Sequence, residues 1–498
     1  MGRPNMQQQL SELHLDPDQY AEARNERQCL LPLNDMTGHK KTQAMPSSGL
    51  LIIVGGLWGA NWSMTAFNNN VKKYNQHNLT RLAQTGRSMS NSTHNPDQYM
   101  FGFRQLASNG KKRIGILLGA GAPVSINVAP PGSQWESLIP KLDGLTEIVK
   151  AGLNQSDKDV YAALEQTTDN SNLEKILSKI RALSEVIGTS KIHNYDSAGF
   201  TSLSQNICNQ IRDAVSKELP SGQTPYSEIV SWINGVNRKY GIEIFTTNYD
   251  LLVEQALERS KTPYFDGFSG AREAFFDPSS IPRNDLPSRW VRLWKLHGSI
   301  GWEKNERNEI VRIPRSSNSN MVYPSHIKYD QTQAAPFSSL FERLRTFLLE
   351  PDTILIATGF SFADAHISSR LLESLQANPS SALLAFQYQN LENESYIREL
   401  ALKCPGVSAY CRDGAVINGV EAKWRTGALP SKGWEHIRKE YFNNSEFLLG
   451  DFTFLARFLA KAGGDYSSEP VRTEALEALL VETDALSKAQ DTGPTNEC

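Results

Sequence analysis

The sequence contains few cysteines, and those present are scattered. Its 498 residues include five cysteines, of which the closest two, Cys404 and Cys411, are separated by six residues. A structural zinc site needs four ligands at tight spacing, so the sequence predicts no metal. Unpaired, scattered cysteines are typical of a reducing compartment, which predicts a cytoplasmic location.

The sequence also lacks a large excess of either charge and any long apolar run. Lys and Arg number 51 against 54 Asp and Glu, a net charge of -3. No global basic field indicates direct nucleic-acid binding. The apolar segment 49–60, GLLIIVGGLWGA, has twelve residues. A membrane span needs about twenty, so we expect no membrane insertion.

Three short motifs are present in a fixed order. They are GAG at 119–121, TTNYD at 246–250 and LHGS at 296–299. Each follows strand-like residues, which occupy 113–118, 241–245 and 291–296. Open α/β folds bind ligands at the carboxyl ends of parallel strands. We therefore predict an α/β fold with a Rossmann-like open parallel sheet, and a nucleotide pocket at that sheet edge.

The first motif has the composition of a phosphate-binding turn. Glycines at a strand end let backbone amides approach a pyrophosphate, and a following helix N-terminus favours negative charge. Taken alone, the motif is about as typical of an ordinary turn. The third glycine of a dehydrogenase fingerprint is absent, and Pro123 interrupts the expected helix start. An ordinary hydride-transfer site is therefore disfavoured.

The second and third motifs carry polar side chains directly after strands. Asn248 and Asp250 are either site residues or plain turn and cap residues, since both types favour such positions. The amphipathic helix that follows is expected to turn inward Leu251, Leu252, Ala256 and Leu257. His297 stands at a strand end beside glycine. It is a candidate general base, although a lone histidine is more often structural.

A fourth motif, ATGFSFADAHI, follows the strand-like residues 353–358. The order GAGA, TTNYD, KLHGS and ATGFSFADAHI resembles the sirtuin-like family, specifically its prokaryotic branch associated with antiviral defence. The resemblance covers about residues 110–390. It implies NAD⁺ as the substrate.

The resemblance also implies roles for individual residues. Asn248 would position the attacking water or the nicotinamide ribose, and His297 would be the general base. Asp250 would be a ribose-side catalytic residue or a structural partner. The residues implied to contact the nucleotide are Gly119, Ala120, Gly121, Thr247, Gly298, Ser299, Gly359, Phe360, Ser361 and Asp364.

Two departures from deacylating sirtuins shift the expected activity. Those enzymes resemble TQNID at the second motif and carry two Cys-x-x-Cys pairs, whereas this chain has TTNYD and no such pair. In those enzymes the zinc module, which this chain lacks, helps form the cleft for the acyl-lysine peptide. We therefore expect an NAD⁺ hydrolase that releases ADP-ribose and nicotinamide, with cyclisation of the product left open. The alternatives are an NAD-dependent protein-lysine deacylase and a non-catalytic NAD or ADP-ribose sensor.

The domain organisation is predicted from residue composition and from the spacing of apolar residues. Residues 1–97 are an extension that is partly ordered or serves assembly, and 98–465 form the catalytic domain. Apolar spacing of three and four residues predicts a helical insertion over about 130–235, which could cover the pocket as a lid. Trp135 is expected either to pack this lid on the nucleotide loop or to be ordinary core. Residues 466–498 form a tail.

An unregulated NAD⁺ hydrolase would be toxic to its cell, and no sensor domain is recognisable in the sequence. We therefore expect gating by assembly. The partners would be further copies of the chain or a separately encoded protein such as an ATPase.

Overall fold

The computed structural model describes residues 92–168, 172–283, 285–307, 309–313 and 335–463. The apolar segment 49–60 and nearly all of the predicted N-terminal extension lie outside the described residues. The predicted tail also lies outside them.

Short strands alternate with helices along most of the chain. In chain order the strands are β1 (Thr93–His94), β2 (Arg113–Leu118), β3 (Glu243–Thr246), β4 (Tyr264–Phe265), β5 (Phe268–Ser269), β6 (Phe275–Phe276), β7 (Val291–Lys295), β8 (Trp302–Lys304), β9 (Ile310–Arg312), β10 (Thr353–Thr358), β11 (Ala382–Phe386), β12 (Val407–Tyr410), β13 (Gly414–Ile417), β14 (Val420–Trp424), β15 (Phe442–Asn443) and β16 (Glu446–Phe447).

The helices of the described residues follow the same order. They are α1 (Pro96–Ser108), α2 (Gly121–Val124), α3 (Leu142–Gly152), α4 (Gln155–Gln166), α5 (Leu173–Val186), α6 (Ser197–Val215), α7 (Pro225–Gly235), α8 (Leu252–Arg259), α9 (Phe337–Leu349), α10 (Ala365–Ala377), α11 (Ser395–Lys403), α12 (Trp434–Tyr441) and α13 (Phe452–Ala462). Six of them, α2 to α7, lie between β2 and β3. The predicted α/β class with a large helical insertion after the first strand and loop is confirmed.

The central sheet has ten strands in the order β1-β14-β13-β12-β11-β10-β2-β3-β7-β4. The run from β12 to β4 is parallel throughout, and an antiparallel meander of β12, β13 and β14 extends one edge. The chain moves from β2 toward β3 and β7, and later resumes on the other side of β2 with β10. The boundary between β2 and β10 is thus the topological switch point, where doubly wound sheets bind ligands.

Four neighbouring strands end at the same level. Leu118 of β2 pairs with Thr358 of β10 and with Thr246 of β3. Thr246 pairs in turn with Lys295 of β7. The loops that follow these strands, which carry all four motifs of the sequence, therefore leave the sheet side by side.

Both faces of the sheet are covered, as expected of a parallel sheet. Ile116 and Leu118 of β2 belong to one apolar cluster, whereas Leu117 between them belongs to the other. This alternation follows from the two-residue period of a strand. Helices α1, α7 and α13 pack in the first cluster, and α9, α10 and α11 pack in the second.

A small antiparallel sheet is formed by two strands before β7 in the chain and two after it. Its strand order is β5-β6-β9-β8, and it is held by an aromatic group of Phe268, Phe276 and Trp302. The guanidinium of Arg312 on β9 lies 5.1 Å from the Phe268 ring centroid and pairs with the buried Asp266 carboxylate. Packing of aromatic rings thus organises this segment.

Several local expectations from the sequence hold closely, and the one for Trp135 needs correction. The strands predicted at 113–118 and 353–358 have those bounds. In helix α8, Leu252, Ala256 and Leu257 are buried as expected, and Leu251 at the N-cap is partly buried and packs against the same core. Trp135 is 58% exposed, so it is neither a packed lid anchor nor core.

Candidate active site

Two glycine-containing loops interlock at the switch point. The Gly119 amide donates to the Thr358 carbonyl at 3.0 Å, and the Gly121 amide donates to the Gly359 carbonyl at 2.8 Å. A Cβ atom on Gly119 would lie 2.3 Å from the Gly359 oxygen, and one on Gly121 would lie 2.6 Å from the Gly359 Cα. Glycine is required here because two backbones meet without room for side chains.

This packing changes the interpretation of the first motif. The Ala122 amide donates to the Gly119 carbonyl at 3.0 Å, so the amides of Gly119, Gly121 and Ala122 are all used within the protein. Helix α2 has only four residues. These three amides are therefore bonded within the protein in this structure, and the nucleotide contact implied for the motif stays a prediction. Ala120 is exposed between the two glycines.

Asn248 lies against the first motif. Its Nδ2 donates to the Gly119 carbonyl at 3.0 Å, and its backbone amide donates to Thr246 Oγ1 at 3.0 Å. The Thr247 amide donates to the Leu118 carbonyl at 3.2 Å. These bonds hold the loop after β3 to the end of β2. The bond from Nδ2 fixes the orientation of the carboxamide, and its oxygen Oδ1, the acceptor of the group, can accept a hydrogen bond from a ligand.

His297 and Asp364 meet across the two halves of the sheet. Nε2 of His297, just beyond β7, lies 3.0 Å from Oδ2 of Asp364, just before α10. Oδ1 of Asp364 accepts from the amides of His366 at 2.8 Å and Ile367 at 3.2 Å. Both carboxylate oxygens therefore have protein partners.

The environment keeps the Asp364 carboxyl ionised. Burial would raise the pKa of Asp364, but the hydrogen bond and charge of His297, together with the amides of Ile367 and His366, outweigh burial and lower this pKa to about 2. A hydrogen-bonded, oppositely charged partner favours the charged form of a carboxyl group. At neutral pH the imidazole thus faces a carboxylate.

The residues after His297 shape the turn without presenting polar groups. Gly298 has φ of +91°, a conformation that glycine adopts without strain, and its amide donates to the Lys295 carbonyl at 3.2 Å. Ser299 is fully buried, and its Oγ accepts from the Gly301 amide at 3.2 Å. Ser299 therefore stabilises the turn.

The fourth motif has an unusual backbone. Gly359 has φ of +64°, and Phe362, a bulky residue, has φ of +59°. Phe360 and Phe362 are buried with ring centroids 4.9 Å apart, and Ser361 between them is exposed. A positive φ at a bulky residue costs free energy and persists only where packing enforces it. This conformation directs Asp364 toward His297.

Asp250 belongs to a buried ionic cluster below this surface. Lys295, 1% exposed, donates to the Asp250 carbonyl and, at 2.9 Å, to Glu254 Oε1. The Asp250 carboxylate accepts from the Leu252 amide at 3.0 Å. Burial raises the pKa of both Asp250 and Glu254, and Lys295 opposes the rise. These contacts favour the structural partner among the two roles expected of Asp250.

Sequence reasoning missed Lys295, Glu254 and Thr358. A lysine at the end of β7, a strand buried along its whole length, was the available signal for the ionic cluster. Thr358 ends β10 fully buried, and its Oγ1 has no hydrogen-bond partner among the described residues. Nothing in its sequence context distinguishes this threonine from an ordinary strand residue.

The described residues contain neither a metal-binding cluster nor a membrane-spanning helix. In the part of the chain that the structure describes, no group of three or more His, Cys, Asp or Glu side chains could hold a metal ion. None of the described helices has both the length and the apolar character of a membrane span.

Comparison with known proteins gives a partial match. A family model described as a SIR2-like domain matches residues 242–408, which include Asn248, His297 and Asp364. No curated protein matches the chain. A Sir2 structure from work on the mechanism and regulation of Sir2 enzymes is 13% identical, covers 59% of this chain and 86% of its own, and has a TM-score of 0.29.

A second solved structure is an ADP-ribose complex of a Sir2 homologue with a histidine replaced by asparagine. It is 13% identical, covers 58% of this chain and 83% of its own, and has a TM-score of 0.26. The family-model match supports the sirtuin-like resemblance of the sequence motifs. Over residues 242–408 the chain is thus similar to SIR2-like domains.

Proposed function

We propose that this chain hydrolyses NAD⁺ to ADP-ribose and nicotinamide. One observation carries the proposal: three polar segments leave neighbouring strands whose ends lie in register around the switch point. Asn248 follows β3, His297 follows β7, and the loop 359–364, GFSFAD, follows β10. A carboxamide acceptor and an imidazole at one sheet edge suit chemistry on a ribose. The SIR2-like match over 242–408 and the ADP-ribose bound to a Sir2 homologue agree with a nucleotide containing ADP-ribose.

The side chains fit such a ligand. The Asn248 carboxamide is fixed by the Gly119 carbonyl so that Oδ1 is the acceptor, suited to a water molecule or ribose hydroxyl.

The reaction is balanced without a metal or redox partner. Cleavage of the bond between ribose C1′ and the nicotinamide nitrogen sends its electron pair to the ring nitrogen, which neutralises the cationic ring. A water oxygen forms the new bond to C1′, and the proton lost from water passes to a base, for which we assign His297. Positioning the nucleophile supplies much of the rate enhancement when the leaving group is already good.

We further propose a biological setting for this activity. The resemblance to the defence-associated branch suggests NAD⁺ depletion in infected cells, gated by self-assembly or by a separate partner such as an ATPase. Three cysteines among the described residues, Cys208, Cys404 and Cys411, are free thiols in buried positions. Free thiols are typical of the reducing cytoplasm, where we place the protein.

The test is NAD⁺ consumption by the purified full chain, with products separated by chromatography. We expect ADP-ribose and nicotinamide without any peptide, and at least a hundredfold loss in Asn248→Ala and His297→Ala. The matched controls are Asn237→Ala and His436→Ala, both at exposed positions. Turnover that requires an acetyl-lysine peptide and yields O-acetyl-ADP-ribose would replace the hydrolase with a deacylase. NAD⁺ binding without turnover in every assembly state would indicate a sensor.

A further inference from the structure

We propose that Asp364 is a positioning residue that fixes the tautomer of His297, so that Nδ1 carries the lone pair that accepts the proton. The inference deepens the proposed hydrolase and rests on it for its kinetic consequence. It assigns to Asp364 a protein partner in place of the nucleotide contact implied by the resemblance.

The first step is the chemistry of the contact. An ionised carboxylate has acceptors only, so the hydrogen in the 3.0 Å contact must be on His297 Nε2. In a neutral imidazole one nitrogen is a donor and the other an acceptor. With Nε2 donating to Asp364, Nδ1 is left as the basic atom.

The second step is the rigidity of the carboxylate. Asp364 is the N-cap of α10, a helix of 13 residues, and its Oδ1 accepts from two amides of the first turn. Oδ2 is therefore held in place by the helix rather than by a flexible loop. The side chains of His297 and Asp364 are only 8% and 15% exposed, so water competes little for the bond.

The third step is the effect of the substitution Asp364→Asn. The new carboxamide would keep its oxygen on the helix amides, because those two donors need an acceptor. Its NH₂ group would then face His297 Nε2, which would have to accept. The imidazole proton would move to Nδ1, so the lone pair would lie on Nε2 and Nδ1 could no longer accept a proton. The cap of α10 and the shape of the side chain would be kept.

The experiment measures the tautomer of His297 directly in the full chain without NAD⁺. Histidine with labelled ring nitrogens is incorporated, and among the nine histidines the His297 signals are identified by their loss in His297→Gln. Two-bond proton–nitrogen spectra of the neutral imidazole report which nitrogen carries the proton. We expect Nε2–H in the wild type and Nδ1–H in Asp364→Asn.

The matched control is Asp196→Asn. Asp196 caps α6 in the helical insertion through a 2.9 Å bond from the Gly199 amide, so the same chemical change is made at another cap. This variant should leave the His297 tautomer unchanged. An Nδ1–H wild type, or an Nε2–H signal that persists in Asp364→Asn, would overturn the proposal.

The kinetic arm separates positioning from nucleotide binding. For Asp364→Asn we expect kcat for NAD⁺ to fall by on the order of 100-fold or more, with KM changed less than about threefold. A loss confined to KM would overturn the proposal in favour of a direct nucleotide contact. If the wild type does not hydrolyse NAD⁺, the proposed function fails, and the tautomer measurement still decides the role of Asp364.

Discussion

The Asn248 carboxamide donates to the Gly119 carbonyl at 3.0 Å and so joins the second sequence motif to the first. The two residues are 129 positions apart, with helices α2 to α7 between them. This contact makes the orientation of Asn248 dependent on the glycine loop. The residue proposed to position the nucleophile is therefore held by backbone rather than by another side chain.

Asn248→Asp should abolish most activity while leaving the fold intact. A carboxylate has no hydrogen to donate, so it would repel the Gly119 carbonyl and rotate away. We expect kcat to fall by about 100-fold or more, since a misplaced positioning group costs that much. NAD⁺ hydrolysis and thermal melting measure the two effects. Asn237→Asp is the control, and retained activity in Asn248→Asp would contradict this orientation.

Gly359→Ala should destabilise the protein more than Gly222→Ala, although both glycines have a positive φ. The new Cβ would lie 2.6 Å from the Ala122 amide, at a φ of +64°. We expect a loss of about 2 kcal/mol or more in unfolding free energy. Gly222 has a φ of +101° and nothing within 4 Å of an added Cβ. Gly222→Ala should therefore lower the unfolding free energy only by the backbone strain, about 1–2 kcal/mol.

Gly433→Ala completes this series as the neutral control. Its added Cβ meets nothing within 4 Å, and its φ is -77°. Urea unfolding of the three variants should give the order Gly359, Gly222, Gly433 from most to least destabilised. Equal losses of unfolding free energy in Gly359→Ala and Gly222→Ala would show that the loops after β2 and β10 can move apart without cost.

Lys295→Met should destabilise the chain in a pH-dependent way. Removing one member of a buried ionic group costs about 3–5 kcal/mol, because the remaining charges stay buried without compensation. Burial already raises the pKa of Asp250 and Glu254 in the folded protein. A carboxyl whose pKa is raised on folding binds its proton more tightly in the folded state, so its destabilising effect shrinks as pH falls.

The cost of Lys295→Met should therefore be smaller at pH 5 than at pH 8, as measured by urea unfolding at both values. Lys111→Met at an exposed position is the control and should change little at either pH. The same cost at both pH values would mean that neither carboxyl takes up a proton when Lys295 is removed.

Alanine substitution of two tryptophans should change the unfolding free energy by very different amounts. Trp135 is 58% exposed, so Trp135→Ala should change the unfolding free energy by less than about 0.5 kcal/mol. Trp232 is fully buried, and its indole donates to the Ala107 carbonyl at 3.0 Å, so Trp232→Ala should cost about 3–5 kcal/mol. Thermal melting of both variants tests this, and a large loss in Trp135→Ala would restore its role as a packed anchor.

Local patterns in the sequence were sufficient to predict the parallel strands that carry the motifs and the position of each motif at a strand end. The runs 113–118 and 353–358 form strands with those bounds, because continuous apolar residues broken by glycine are typical of buried parallel strands. Apolar residues spaced by three and four predicted the helices that include Leu173–Val186 and Ser197–Val215. Such signals depend only on residues near each other in the chain.

The sequence by itself determined the fold class, the strand ends to within one residue and the choice of Asn248 and His297 as candidates. Only the tertiary structure decided that Asp364 faces His297, 67 residues away, that Asp250 joins a buried cluster with Lys295, and that the glycine amides bond to Thr358 and Gly359. The reason is physical. Strand order and register bring distant loops together, and hydrogen bonds made across that distance leave no periodic signal in the chain.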